Sequence, residues 1–261
     1  MFKTLKVFLT SYPPEIIIRR GLSRIFNIKI PQLREWQEYF HKKSGLEIGG
    51  PSAVFNPSGY LPLYDTISGL DGVNFSTNTI WEGDLNEGKN YSFHNRTGFQ
   101  YIAEGSYLPA IKSNFYDFVL SCNNLEHIAN PIAAILEWKR IIKDEGVMLI
   151  ILPNKKSNFD HKRPYTSFEH VVNDYKLSVG EDDLTHLEEI LELHDLSRDP
   201  LARPFSKFKE RCLDNISNRC LHHHVFDEAL IRNILAHCNL QTKLFYEGDT
   251  CYYVLAVKQA Q

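Results

Sequence analysis

Gly45-Leu46-Glu47-Ile48-Gly49-Gly50-Pro51-Ser52 is the stretch whose reading decides the fold. An apolar run that carries one acid and closes on two glycines describes a buried strand ending in a tight turn. Glycine there permits positive φ and lets the backbone approach a ligand closely. A ligand is therefore expected at Gly49 and Gly50, with Glu47 at the strand end and Ser52 just past the turn. Taken alone, the stretch would also suit a turn that merely joins two elements, because short glycine motifs recur by chance.

The residues that follow narrow the ligand. A dinucleotide-binding turn needs a third glycine for helix packing, whereas Pro51, Ser52, Ala53 and Val54 come next, and no Gly-Lys-Ser/Thr follows to cradle a phosphate. What remains is a ligand with adenosine at one end and a cationic amino acid at the other, to which Glu47 offers the opposite charge. S-adenosylmethionine fits that description and is the expected cofactor; NAD is not.

Outward from the turn, residues 32–43 place Leu33, Trp36 and Phe40 at helical spacing after Pro31, which predicts an amphipathic helix closing the cofactor side. Strands are predicted at 45–48, 70–75, 100–103, 116–121 and 147–152, the last two being continuous apolar runs of the kind that buried parallel strands require. Helices are predicted at 131–143, stopped by Asp144-Glu145-Gly146, and at 226–237; strands at 240–246 and 251–258 end the chain. This alternation predicts an α/β fold, a Rossmann-like doubly wound, mostly parallel seven-stranded sheet. Residues 155–225 are too long for one connection and too rich in aromatics, His and Arg for a disordered linker. They read as an insertion after strand 5, at a C-terminal strand end where such sheets bind ligands, and are expected to cover the acceptor. The expected organisation is a basic helical extension over 1–44 and one domain over 45–261.

A net charge of −3 over 261 residues, without aromatic-basic alternation, excludes a general nucleic-acid binder. Five scattered cysteines, Cys122, Cys212, Cys220, Cys238 and Cys251, never at Cys-x-x-Cys spacing, read as reduced thiols in a cytoplasmic protein. The first 44 residues hold nine basic residues against three acidic ones. That asymmetry suits peripheral contact with an anionic inner membrane face, or simply a basic helical lead-in packed on the domain.

The order of pieces resembles the class I S-adenosylmethionine-dependent methyltransferases, and within them the type 11 group. The matching stretches are Leu46-Glu47-Ile48-Gly49-Gly50, Glu104-Gly105-Ser106-Tyr107-Leu108-Pro109, Tyr116-Asp117-Phe118-Val119-Leu120-Ser121 leading to Leu125-Glu126-His127-Ile128, and Glu137-Trp138-Lys139-Arg140-Ile141-Ile142-Lys143 into Glu145-Gly146. The resemblance implies that Glu47 and Gly49 lie by the methionine end of the cofactor, that Glu104, followed by Gly105, faces the adenine amino group, and that Asn123 and Asn124 line the floor beneath the sulfonium. The family's acid after strand 2, for the ribose hydroxyls, has no obvious counterpart; Asn74 and Glu82 are the candidates. The later part of the chain resembles methyltransferases of bacterial surface-polysaccharide gene clusters, through Phe159-Asp160-His161-Lys162-Arg163-Pro164, Thr166, His170, Asp174-Tyr175, Glu181-Asp182-Asp183-Leu184-Thr185-His186 and His222-His223-His224-Val225-Phe226-Asp227. That implies a saccharide or sugar-containing acceptor, with Asp160, Arg163, His170, Tyr175 and His224 as its binding residues.

A sulfonium methyl is already activated, so methyl transfer to a hydroxyl needs in-line alignment, exclusion of water and removal of one proton. His161, in a polar Asp-His-Lys-Arg cluster after strand 5, is the expected base, and His127 after strand 4 is the alternative. Another small molecule attacked through oxygen or nitrogen remains an alternative acceptor, and a cofactor-binding protein without turnover an alternative class. Asp160, His161, His170, His186 and His222 to His224 include metal-ligating types, but their spacing matches no standard zinc module and no metal is expected. The acidic run from Glu181 to Asp195 reads as a solvated helix face.

Overall fold

The computed structural model describes residues 28–260. In chain order the elements are α1 (Leu33–Glu38), β1 (Ser44–Ile48), β2 (Gly69–Asn74), β3 (Asn78–Thr79), β4 (Gly83–Asp84), β5 (Gly88–Phe93), β6 (Arg96–Ile102), β7 (Tyr116–Cys122), α2 (Pro131–Ile141), β8 (Ile142–Pro153), α3 (Phe168–Leu177), α4 (Leu187–Leu193), α5 (Phe205–Leu213), α6 (Asn215–Asn218), α7 (Glu228–His237), β9 (Leu240–Glu247) and β10 (Cys251–Lys258). Eight strands make the main sheet in the order β5-β6-β2-β1-β7-β8-β10-β9, and β3 and β4 form a separate two-stranded ribbon. The central strands β6, β2, β1, β7 and β8 pair parallel; β5 at one edge, and β10 and β9 at the other, pair antiparallel. The sheet thus has one strand more than expected. The extra strand is β5, where Tyr91 and Phe93 are buried but a polar start, Gly88 to Asn90, leaves no apolar run to announce it.

Both faces of the sheet are buried, and the period-two alternation of side chains sorts them. Met148, Ile150 and Leu152 of β8, with Tyr252, Val254 and Ala256 of β10, face one core; Val147, Leu149 and Ile151, with Tyr253 and Leu255, face the other. Helices α2 and α7 cover the first face. Asn130 caps α2 by accepting from Ala133 N–H at 3.0 Å, Pro131 opens it, and Ile132, Ile135, Trp138 and Ile141 turn inward. Asp227 caps α7 in the same way, accepting from Leu230 N–H at 2.8 Å.

The second face is closed by α1 and the irregular chain from Phe55 to Ile67. Trp36 and Phe40 pack here, Phe40 edge-on against Phe118 at 5.2 Å between ring centroids. Helix α1 therefore lies beneath the sheet at the start of β1 and lines no ligand cavity, contrary to the expectation that it closes the cofactor side. Ile30 joins the same core, so residues 28–44 are continuous with the domain. The basic extension at 1–27 lies outside the described residues. No helix among the described residues is long and apolar enough to cross a membrane.

The insertion starts where β8 ends and returns to the sheet at α7. It carries a small core of its own, built on Ile190, Ala202, Phe208, Cys212 and Leu221. It is also stitched to the sheet: Val171 of α3 belongs to the core beneath α2 and α7.

Candidate active site

The glycine turn is held from behind. Gly49 has φ +75°, and a Cβ added there would stand 2.6 Å from Asn124 Nδ2, so the turn and the loop after β7 meet where only glycine fits. Glu47 is fully buried behind the turn. Its Oε1 accepts from Ser52 N–H at 2.9 Å, and its Oε2 accepts from the Tyr64 and Tyr91 hydroxyls, each at 2.7 Å. Tyr91 reaches it because its ring lies flat against Gly72, where a Cβ would come within 2.0 Å of ring carbons. Burial raises the Glu47 carboxyl above its ordinary range, and the bonds from Ser52, Tyr91 and Tyr64 offset that in part. Glu47 braces the turn from inside and lines no part of the cavity in front of it, contrary to the expectation that it lies by the methionine end of the cofactor. Gly50 likewise backs onto Glu47 and is absent from the cavity wall.

In front of the turn lies a cavity of about 540 Å³. The strand-end residues Ile48, Gly49, Ser52, Val73, Asn74, Glu104 and Gly105 line one half, with Asn123, Asn124 and His127 as floor, and Glu82 and Trp81 reach it from the β3–β4 ribbon. Of the expected cofactor residues, all but Glu47 and Gly50 are therefore brought together. Asn74 donates to Gly50 O at 3.2 Å and supports the turn, and Gly105 O accepts from Trp138 Nε1 at 2.7 Å.

The insertion builds the other half from Ser157, Phe159, Glu181, Arg219 and His222; Phe159, Glu181 and His222 lie in motifs noted in the sequence, but none of the five was expected as a cofactor, acceptor or catalytic residue. Arg219 pairs with Glu104 and lies over the Phe75 ring at 5.1 Å. Burial raises the carboxyls of Glu126 and Glu181 to about 7 each; His222 lowers the first and Arg219 the second, without overcoming burial. Glu181 thus corrects the reading of its acidic run as a solvated face.

His222 is the histidine on this wall that a carboxylate orients. Its Nδ1 lies 2.5 Å from Asp160 Oδ2, and Asp160 Oδ1 accepts from Arg163 Nη1 at 3.0 Å. Burial alone would raise Asp160, but His222 and Arg163 hold it well below the usual carboxylate range. His222 itself is opposed by burial and raised by Asp160. His127 Nδ1 lies 3.0 Å from Leu221 O, and burial and the nearby His222 push its pKa well down. Its ring packs edge-on to His222, centroids 4.6 Å apart, and to Trp81, 5.3 Å apart.

Six sequence expectations fail here. His161 is bonded to Asp195 at 2.8 Å and lines no part of the cavity. Asp160 and Arg163 are buried behind His222 and present nothing to an acceptor; Arg163 is spent on Asp160, Glu189 and the carbonyls of His222 and His223. His170 and His224 meet each other in a separate cluster, and Tyr175 is exposed on α3 away from the cavity.

Four buried polar atoms on the cavity's residues have no hydrogen-bond partner: Asn124 Oδ1, Glu126 Oε2, Glu181 Oε2 and Arg219 Nε. Three are acceptors, which suits a ligand bearing ammonium or hydroxyl donors. With the glycine cradle at Gly49, these residues fit S-adenosylmethionine.

A family model described as a methyltransferase domain matches residues 71–150. Among solved structures, a protein of Bacillus halodurans described provisionally as a methyltransferase aligns over 88% of this chain and 98% of its own at 10% identity, with a TM-score of 0.50. An S-adenosylmethionine-dependent methyltransferase of Aquifex aeolicus aligns over 90% and 92% at 14% identity, with a TM-score of 0.44. An uncharacterized protein of Methanocaldococcus jannaschii is 35% identical over 71 residues, and the chain spans 27% of that relative's length. Residues 71–150 thus match a methyltransferase domain, and the sheet around them is Rossmann-like.

Proposed function

We propose that the chain transfers a methyl group from S-adenosylmethionine to a hydroxyl of a saccharide or sugar-containing precursor, in the making of a surface glycan. The observation that carries this is the divided cavity, with a glycine cradle on one side and, on the other, a histidine oriented by a buried carboxylate. When bound, the cofactor supplies a sulfonium-activated methyl carbon. Gly49, Asn124 and Glu104 would hold it, with Asn74 and Glu82 at the strand-2 side.

The remaining work falls to this chain's own residues. Asp160 keeps His222 Nδ1 occupied and so leaves Nε2 to take the hydroxyl proton as the oxygen–carbon bond forms; the proton ends on His222. Arg163 fixes Asp160, and the insertion excludes water. Trp81, half-exposed on the cavity wall, offers a flat apolar surface to a sugar ring, while Glu126 and His127 offer acceptors to neighbouring hydroxyls. The test is incubation of the purified protein with methyl-labelled cofactor and a panel of nucleotide sugars and oligosaccharides. Label in a base-stable ether on a sugar hydroxyl is expected; label only in amines or carboxylates of other small molecules would sink the saccharide reading.

A further inference from the structure

Behind the cavity wall lies a second cluster that the methyl-transfer reading leaves unused. His170 and Asp174 stand one turn apart on α3, His186 immediately precedes α4, and His224 lies two residues past His222. His170 Nε2 is 2.9 Å from His186 Nε2 and 3.2 Å from Asp174 Oδ2; His224 Nε2 is 3.6 Å from Asp174 Oδ2. One ring nitrogen of each histidine lies within 4.8 Å of the others. A tetrahedral ion with ligands at about 2.0–2.2 Å sets them about 3.3 Å apart. His170 stands at about that spacing from both His186 and Asp174, and the three histidines lie close enough to one another to reach it with small side-chain shifts.

From this geometry we infer a structural divalent-cation site, of zinc type, with His170, His186, His224 and Asp174 as ligands. The proton inventory supports it. Asp174 and His224 are 8% and 2% exposed, yet Asp174 Oδ2 and His224 Nδ1 have no hydrogen-bond partner. Among the described residues the ion-pair partners of Asp174 are histidines alone. His224 Nε2 lies 3.0 Å from Ala129 O, so its N–H can stay on that carbonyl while Nδ1 ligates, the usual outer-shell arrangement of a metal-bound histidine. Three nitrogens and one oxygen favour zinc over magnesium or calcium, and with all four positions filled by protein the ion would be structural. It would tie α3, the turn before α4 and the 222–226 segment into one body, and so fix the backbone that carries His222. The inference does not depend on the acceptor.

The experiment uses the untagged full chain. Elemental analysis after growth with zinc is expected to give about one equivalent per chain, and cobalt loaded in its place to show the intense visible bands of a tetrahedral site. A strong chelator should lower the melting temperature, and added zinc should restore it. Asp174→Asn and His186→Gln should each lose most of the metal, whereas His161→Ala and His222→Gln should keep it. Should a variant fail to fold, the cobalt spectrum and thermal shift of the wild type still decide. Wild type that takes up neither metal, or metal lost in His222→Gln but kept in Asp174→Asn, overturns the assignment.

Discussion

The two walls of the cavity are built by opposite strategies. The glycine-turn wall is local: Glu47 reaches Ser52, Tyr64 and Tyr91, all within 44 residues, and the turn follows directly from β1. The insertion wall is assembled from pairs far apart in sequence: Asp160 with His222 across 62 residues, His127 with Leu221 across 94, Arg219 with Glu104 across 115. The first wall is a strand end, where the backbone itself shapes the ligand site. The second has little regular structure at the cavity and depends on charged side chains, each buried only because another meets it. Under the proposed function the first wall binds the cofactor and the second carries the acceptor chemistry, and each role can be broken by a substitution.

The largest effect should come from His222. His222→Ala is expected to lower turnover by about 10²- to 10⁴-fold, the usual contribution of a positioned base, with cofactor affinity changed little. His161→Ala, whose ring is held outside the cavity by Asp195, should stay within about twofold of wild type. Single-turnover kinetics would check both, and an inert His222→Ala with a crippled His161→Ala would exchange the roles. Asp160→Asn should give an intermediate loss, because His222 would keep its place but lose the charge that stabilises its protonated form.

On the other wall, Gly49→Val should weaken S-adenosylmethionine by tenfold or more in calorimetry, since the added carbon meets Asn124 and the backbone has φ +75°. Turnover at saturating cofactor should fall much less than for His222→Ala. A normal dissociation constant would mean that the cofactor avoids the turn altogether. Tyr91→Phe acts one layer deeper. It removes a buried hydrogen bond to Glu47 and should cost about 1.5–3 kcal/mol of stability by denaturant titration. No measurable cost would mean that Glu47 does not brace the turn as its bonds indicate.

The difference between the walls also explains what the sequence made legible. Strands 1, 4 and 5 were readable because continuous apolar runs at 45–48, 116–121 and 147–152 leave few alternatives, and the glycine pair fixed where the first must end. Glu47 was placed correctly in the chain and wrongly in role: no local pattern reveals that Tyr64 and Tyr91, on later segments, enclose it. His161 and His222 sat in equally polar surroundings, Asp-His-Lys-Arg and His-His-His. Which of them meets the cavity depends on how the insertion folds back, and that rests on contacts such as Arg163 with the His222 and His223 carbonyls that carry no sequence period. Strand β5 escaped for a plainer reason, since its alternation is only Tyr91-Ser92-Phe93 behind a polar Gly-Lys-Asn start, too short to stand out.

The smallest expected effect lies where the two walls meet, and it concerns charge. Glu126 and Glu181 both line the cavity with carboxyls raised to about 7. Glu126 faces His222 and Asp160; Glu181 faces Arg219, Glu104, Asp182 and His223. Because their folded values exceed the ordinary 4.5, they contribute stability at low pH that is lost as pH rises through about 7, when each must ionise in a buried place. A cationic ligand reverses that cost by supplying the missing counter-charge. S-adenosylmethionine carries one positive charge more than its demethylated product, so the ratio of their affinities should shift toward S-adenosylmethionine between pH 6 and 8, by about a few-fold. Calorimetry of both ligands at each pH measures this. Glu126→Gln should flatten the trend if that carboxyl lies near the sulfonium, and Glu181→Gln should do so if the cationic end points toward the insertion instead. A ratio independent of pH in wild type would mean that both carboxyls serve the acceptor, and that the cofactor's charge is met by the glycine-turn wall alone.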